Sequence, residues 1–313
     1  MCLLSFAHML NLWIIATLIS TFFWGIASML MKKVSNEYND NYLALVYQYS
    51  AMAIAALSIG ARWAISHGSA YLPTLDMKER WLVIAIGIIW YLGIMFLFKA
   101  YDKLSAWVAL VIANLATFLM YFANLALYPG QEAFTLVKMI LAVVFFVIIS
   151  QFLLDQWGNK SVTRTSLINP ATLYPLATAV CRSLYFVGNS YFIKSGIMSP
   201  VQSGMLTETC ILVVAIIWFL CHHTRDGLAR IRTWISRRTA PIFLGIGFLN
   251  TCAVYLMYYG YQTNPANIVN VIRLFAIPLT VLACWIFLRE RLTKKQTILL
   301  VCACLVMMWF MAF

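Results

Sequence analysis

The stretch from Asn264 to Thr293, NPANIVNVIRLFAIPLTVLACWIFLRERLT, decides how the rest of the chain is read. It carries about 25 mostly apolar residues, long enough to cross a bilayer as a helix. It then stops abruptly in Arg289-Glu290-Arg291. One arginine, Arg273, lies inside the span, five residues before Pro278. A charge near the centre of a bilayer costs about 2.5–3.5 kcal/mol on insertion scales, so such a residue usually faces protein or water and has a task. Moved back by 158 residues, the stretch falls on Ala106 to Thr135, AWVALVIANLATFLMYFANLALYPGQEAFT, just after Ser105, a second apolar span ending in a loop with an acid, Glu132 under Glu290. The chain reads as two related halves built from membrane helices.

Composition sets the class. The chain is 63% hydrophobic and 10% charged, where a soluble domain has about 45–50% and about 25%. Every function must therefore fit inside an integral membrane protein. The net charge of +12 would suggest nucleic acid in a soluble protein. Here the basic residues mostly occupy short loops, as topology signals and headgroup anchors, so no nucleic-acid partner is expected. The eight cysteines are scattered without a CxxC pair. They read as small core residues, with no disulfide framework, no metal site and no cofactor. The run Leu10 to Met31 has no basic leader or small-x-small cleavage site and reads as a retained first helix rather than a signal peptide.

Apolar runs fall near 10–31, 42–61, 81–99, 105–128, 134–154, 171–193, 200–221, 241–261, 265–288 and 296–313. They are continuous rather than alternating, which excludes a barrel. The expected fold is an all-α integral membrane protein with ten transmembrane helices. It divides into a first five-helix repeat over 10–154, a linker over 155–169 and a second five-helix repeat over 170–313. The loop from His222 to Ala240 places Leu228, Ile231, Trp234 and Ile235 at helical spacing among arginines, the pattern of a short surface helix. The 158-residue offset holds without a gap from the third to the fifth helix, pairing Gly87 with Gly245, Tyr101 with Tyr259 and Val111 with Val269. Five helices per half turn one half upside down relative to the other. Such inverted repeats mark transporters with a site near the midplane, where the halves meet.

At this point the chain resembles a known family, the EamA-like branch of the drug/metabolite transporter superfamily. The residues that carry the resemblance are Phe23-Trp24-Gly25, Leu104-Ser105-Ala106, Gly130-Gln131-Glu132, Pro278 and Arg289-Glu290-Arg291-Leu292-Thr293. Their order and spacing, from about residue 12 to 313, weigh more than any single motif. The resemblance implies inverted repeats around a cavity lined mainly by helices 1, 3, 4, 6, 8 and 9, and transport of small metabolites by alternating access. Where the family often has proline in its fourth helix, this chain has Met120. The family also keeps both termini in the cytoplasm. The positive-inside rule favours the reverse, because five arginines in 225–238 and four basic residues in 289–295 would then face outward. The orientation is left open on these grounds.

Three ionisable residues fall well inside the spans: Arg182, Glu208 and Arg273. Glu208 can pair with one arginine as buried glue, which leaves the other without a carboxylate. A substrate anion completes it, since a guanidinium grips carboxylate or phosphate with two parallel hydrogen bonds. Thr178, Arg182, Tyr185 and Asn189 form one polar stripe, and Asn267, Asn270 and Arg273 another. Asn114, Thr117, Tyr121 and Asn124 line one side of helix 4, and Thr17, Thr21, Trp24 and Ser28 one side of helix 1. Such stripes also serve as interhelical hydrogen bonds. Trp90 and Tyr91, with Trp24, can form an aromatic wall, and Gln48 is a weaker candidate.

The expected function is secondary active transport of a small organic metabolite bearing a carboxylate or phosphate, bound by Arg182 or Arg273. The alternative is export of cationic or aromatic compounds by proton antiport on Glu208. The expected partners are a small-molecule substrate, the lipid bilayer and a coupling proton or counter-substrate, with the chain a monomer or homodimer in a prokaryotic inner membrane. No catalytic residues are expected. A membrane-embedded enzyme needs an acidic cluster, nucleophile or metal motif, and no two of the ten acids are closer than three residues. No GxxxxGK[ST] loop is present, so ATP coupling within the chain is not expected either.

Overall fold

The structure is a computed structural model. It describes residues 2–37, 41–67, 73–104, 106–128, 136–159, 170–222, 240–287 and 293–312. Twelve α-helices follow in order: α1 (Cys2–Glu37), α2 (Asn41–His67), α3 (Met77–Lys103), α4 (Ala106–Ala113), α5 (Ala116–Leu127), α6 (Leu136–Asn159), α7 (Pro170–Lys194), α8 (Pro200–His222), α9 (Ala240–Thr263), α10 (Ala266–Ile272), α11 (Ala276–Phe287) and α12 (Lys294–Ala312). Six stretches are long and apolar enough to cross a membrane: 12–31, 44–66, 77–103, 200–222, 241–263 and 266–287. Glu132, Arg289, Glu290, Arg291, the 160–169 part of the linker and the basic loop over 223–239 lie outside the described residues.

Local chemistry explains where the rods begin. At α3, Asp76 accepts a hydrogen bond from the Glu79 amide at 2.7 Å while Glu79 accepts one from the Asp76 amide at 2.8 Å, a capping box that satisfies two orphan donors. Ser199 and Gln202 exchange the same pair ahead of α8. Thr293 and Gln296 do so ahead of α12. Between α7 and α8 the chain turns through Gly196, whose φ of 70° suits a residue without a Cβ.

Two of the ten apolar runs expected as continuous helices are interrupted. Between α10 and α11 the backbone tightens to a 3-10 turn over Arg273–Phe275. Pro278 follows at once; it lacks an N–H and its ring crowds the carbonyl four residues back, at Leu274. Between α4 and α5 the amides of Leu115 and Thr117 bond three residues back, to Ile112 and Asn114, without any proline. Met120 in place of the usual proline therefore does not make this helix regular. The 158-residue offset carries Leu115 onto Arg273, so the two breaks coincide in the alignment of the halves. Counting each interrupted helix as one rod, the described residues contain ten.

The rods pack mainly across the halves: α1 on α9, α3 on α7, α2 on α8 and α6 on α12. The α3–α7 crossing is close because Gly93 leaves room, and a Cβ there would stand 2.7 Å from that of Cys181. The Thr178 hydroxyl donates to the Gly93 carbonyl at 3.0 Å through that gap.

Candidate functional site

Arg182, on α7, is 7% exposed, and its Nε and Nη1 have no hydrogen-bond partner among the described residues. It opens onto a cavity between α1, α2, α3, α7 and α9, shared with Trp24, Gln48, Tyr49, Trp90 and Asn250. About 380 Å³ of the space is free of atoms, most of it in crevices too narrow for a water molecule. The cavity is too tight for a metabolite in this conformation. A larger hollow of about 610 Å³ lies elsewhere, between α5, α6 and the 3-10 turn. Its walls include Phe122, Met139, Val143 and Leu274, and Phe122 and Val143 are more than half exposed. It is a groove on the apolar exterior, and none of the buried charges reaches it.

Arg273 has different company. Its guanidinium carbon lies 3.9 Å from the centroid of Trp24 and 4.0 Å from that of Phe186. Nη1 donates to the Met257 sulfur at 3.6 Å. The cation therefore contacts the aromatic faces of α1 and α7, an arrangement worth about 2 kcal/mol or more where water is excluded. Trp24 both lines the Arg182 cavity and covers Arg273, so it separates the two arginines' surroundings.

Behind the cavity runs an aromatic layer. Trp90 stacks on Tyr185 with centroids 4.1 Å apart and donates its indole N–H to the Tyr49 hydroxyl at 2.7 Å. The Tyr258 hydroxyl donates to that of Tyr185 at 3.0 Å, and Tyr185 donates to Glu208 Oε1 at 3.2 Å. Glu208 forms no ion pair with Arg182 or Arg273, so the buried-glue pairing is not made. Its hydrogen-bonded partner is a tyrosine, since Tyr185 reaches the carboxylate from the facing helix.

The remaining expected site residues divide by role. Asn189 donates to the Tyr185 carbonyl at 2.9 Å and accepts from Ser203 at 2.7 Å, tying α7 to α8. Asn270 accepts from the Tyr261 hydroxyl at 2.6 Å, tying α10 to α9. Asn124 donates to Asn267 at 3.1 Å and accepts from Ser190 at 3.3 Å, joining α5, α10 and α7. Thr17 and Thr21 turn back on their own helix. Asn114 is half-buried in the α4–α5 break and does not line the cavity. Of the nine candidates, Trp24, Trp90 and Arg182 line it together. Tyr185 and Glu208 stand one layer behind.

Five participants were not among the expected site residues: Tyr49, Phe186, Asn250, Tyr258 and Met257. Phe186 shares its Phe-x-Gly pattern with Phe23-Trp24-Gly25, and Tyr49 adjoins the weaker candidate Gln48, so each had a faint local signal. The cavity also departs from the lining that the family resemblance implies. The second rod contributes Gln48, Tyr49 and Met52, while among the described residues the fourth and ninth rods contribute none. Arg273, the ninth rod's polar residue nearest this region, is covered by Trp24 and Phe186.

Residues 169–312 match the model of the EamA-like transporter family. This half of the chain belongs to that family. The match supports placing the chain in the drug/metabolite transporter superfamily, as an integral membrane protein and a transporter of small molecules. A solved crystal structure shares the fold of the EamA-like chain, with a TM-score of 0.62 at 18% identity, over 95% of this chain and 96% of that one. The sequence matches no curated protein.

Proposed function

We propose that this EamA-like chain is a secondary active transporter of a small organic anion, with Arg182 as the anion's ligand. The observation that carries the reading is the pair of unpartnered nitrogens on a buried guanidinium facing a cavity. A buried charge is tolerated when it is paired, and a carboxylate or phosphate meets two guanidinium donors at once. Gln48 and Asn250 supply neutral hydrogen-bonding groups beside it, and Trp24 and Trp90 supply flat apolar walls. These are the elements of a site for a small polar molecule with a charged end and a less polar body.

The reading extends to ten transmembrane helices in two inverted repeats, over 10–154 and 170–313, and to alternating access. The helix pairings support it. Exchanging each rod for its counterpart in the other half turns the α1–α9 contact into the α3–α7 contact and leaves the α2–α8 and α6–α12 contacts as they are. The tightness of the cavity fits a closed state that must open to load. The two interrupted rods, at equivalent positions, are natural places for that movement.

A thermal-stability screen of the purified protein tests the assignment, using carboxylates, amino acids, phosphorylated sugars and organic cations. A ligand that binds only the folded state stabilises it by about 2.7 kcal/mol at a hundredfold excess over its dissociation constant. Stabilisation by an anion is expected in the wild type and lost in Arg182→Gln. Stabilisation by cations alone, lost in Glu208→Gln, would replace this reading with export of cationic compounds.

A further inference from the structure

Glu208 is left unused by the anion site. It is 1% exposed, on α8, and among the described residues its Oε2 has no hydrogen-bond partner. Its Oε1 accepts one bond, from Tyr185. A phenol has a single hydrogen to give, so Tyr258 donates to Tyr185 and Tyr185 to Glu208, and the chain ends there. An ionised carboxylate in this setting would be buried with one neutral donor and one bare oxygen, among the least compensated arrangements a charge can have.

We propose that Glu208 is a proton-binding site of the transport cycle, carrying a proton on Oε2 in the conformation seen here and exchanging it with water in another. The inference rests on the transport reading but not on the charge of the cargo. The step is a proton transfer alone: an O–H bond forms at Oε2 with a proton taken from one aqueous side, and it breaks when that proton is released to the other. A metal cation fits poorly, because it needs several converging oxygens and the described residues contain no cluster of metal ligands.

The groups facing Glu208 come from every element packed on α8. They are Tyr49 from α2, Tyr185 from α7 and Tyr258 from α9, with Trp90 on α3. Among the described residues the buried cation on these elements is Arg182, one turn before Tyr185, which lines the cavity and makes no ion pair with Glu208. Phenols ordinarily keep their protons through the neutral range, which leaves Glu208 as the exchanging group. The route between the sites is short. Tyr49 lines the cavity and accepts from Trp90, Trp90 stacks on Tyr185, and Tyr185 bonds Glu208. A cargo that shifts Trp90 or Tyr49 thus reaches the proton site through one aromatic layer.

The test uses the full chain in liposomes on a solid-supported membrane, with a pH step as the only stimulus. The wild type should give a transient charge displacement. It should vanish in Glu208→Gln and persist with a shifted pH profile in Glu208→Asp and Tyr258→Phe. Glu208→Asp keeps the carboxyl group and separates loss of the proton site from a folding defect. A transient in Glu208→Gln equal to that of the wild type overturns the proposal. So does a wild type that responds to sodium steps but to no pH step. If anions fail to stabilise the protein while the proton transient stands, the Arg182 assignment falls alone.

Discussion

Arg182 and Arg273 are both arginines within apolar runs, 7% and 4% exposed, and each sits on a polar helical stripe. Their surroundings differ in kind. Arg273 spends its charge on Trp24, Phe186 and Met257, joining the 3-10 turn of a broken helix to α1, α7 and α9. Arg182 lines a cavity and keeps Nε and Nη1 without a hydrogen-bond partner among the described residues. The lesson is that a buried charge is a ligand candidate in proportion to what it has left to bind. Burial and position along the helix do not decide it.

The largest effect that would break the comparison is on ligand response. Arg182→Gln should remove all anion-dependent stabilisation, about 2.7 kcal/mol at a hundredfold excess of ligand, while the unliganded melting temperature holds or rises. Arg273→Gln should do the opposite. It should cost the unliganded protein about 2 kcal/mol, the worth of a desolvated cation–π contact, and leave the anion response in place. Thermal unfolding of both variants, with and without the anion, checks the two together; swapped outcomes would reverse the roles.

Smaller changes sharpen the same contrast. Asn124→Leu removes the hydrogen bond to Asn267 and should cost about 1 kcal/mol, the usual worth of such a bond. The anion response should again be unaffected, because the Ser190–Asn124–Asn267 network holds rods together away from the cavity. Thr178→Val removes the donor to the Gly93 carbonyl at the α3–α7 crossing and should cost about 1 kcal/mol. Loss of anion binding in either variant would extend the site into these stripes.

Much of the fold was readable locally. The run expected at 171–193 is α7 over Pro170–Lys194, and that at 200–221 is α8 over Pro200–His222. Long apolar runs have no other way to satisfy their backbone in lipid. The site was readable only in part. Periodicity put Arg182 and Tyr185 on one stripe, and they do face a shared aromatic layer. It put Asn189, Asn267 and Asn270 on stripes as well, and those residues bind neighbouring helices. A stripe shows which side of a helix is polar, not what stands opposite.

The sequence by itself determined that this is a helical membrane protein, where its rods begin, and which few charges must be accommodated inside. Those properties depend on composition, spacing and capping residues within one or two turns. Tertiary structure alone decided that Arg273 lies against aromatic faces and Arg182 beside a cavity, and that Glu208 meets a tyrosine instead of an arginine. The partners in those contacts, such as Trp24 on Arg273 or Tyr258 on Tyr185, come from helices far apart in the chain. No local pattern can specify a neighbour that only packing brings near.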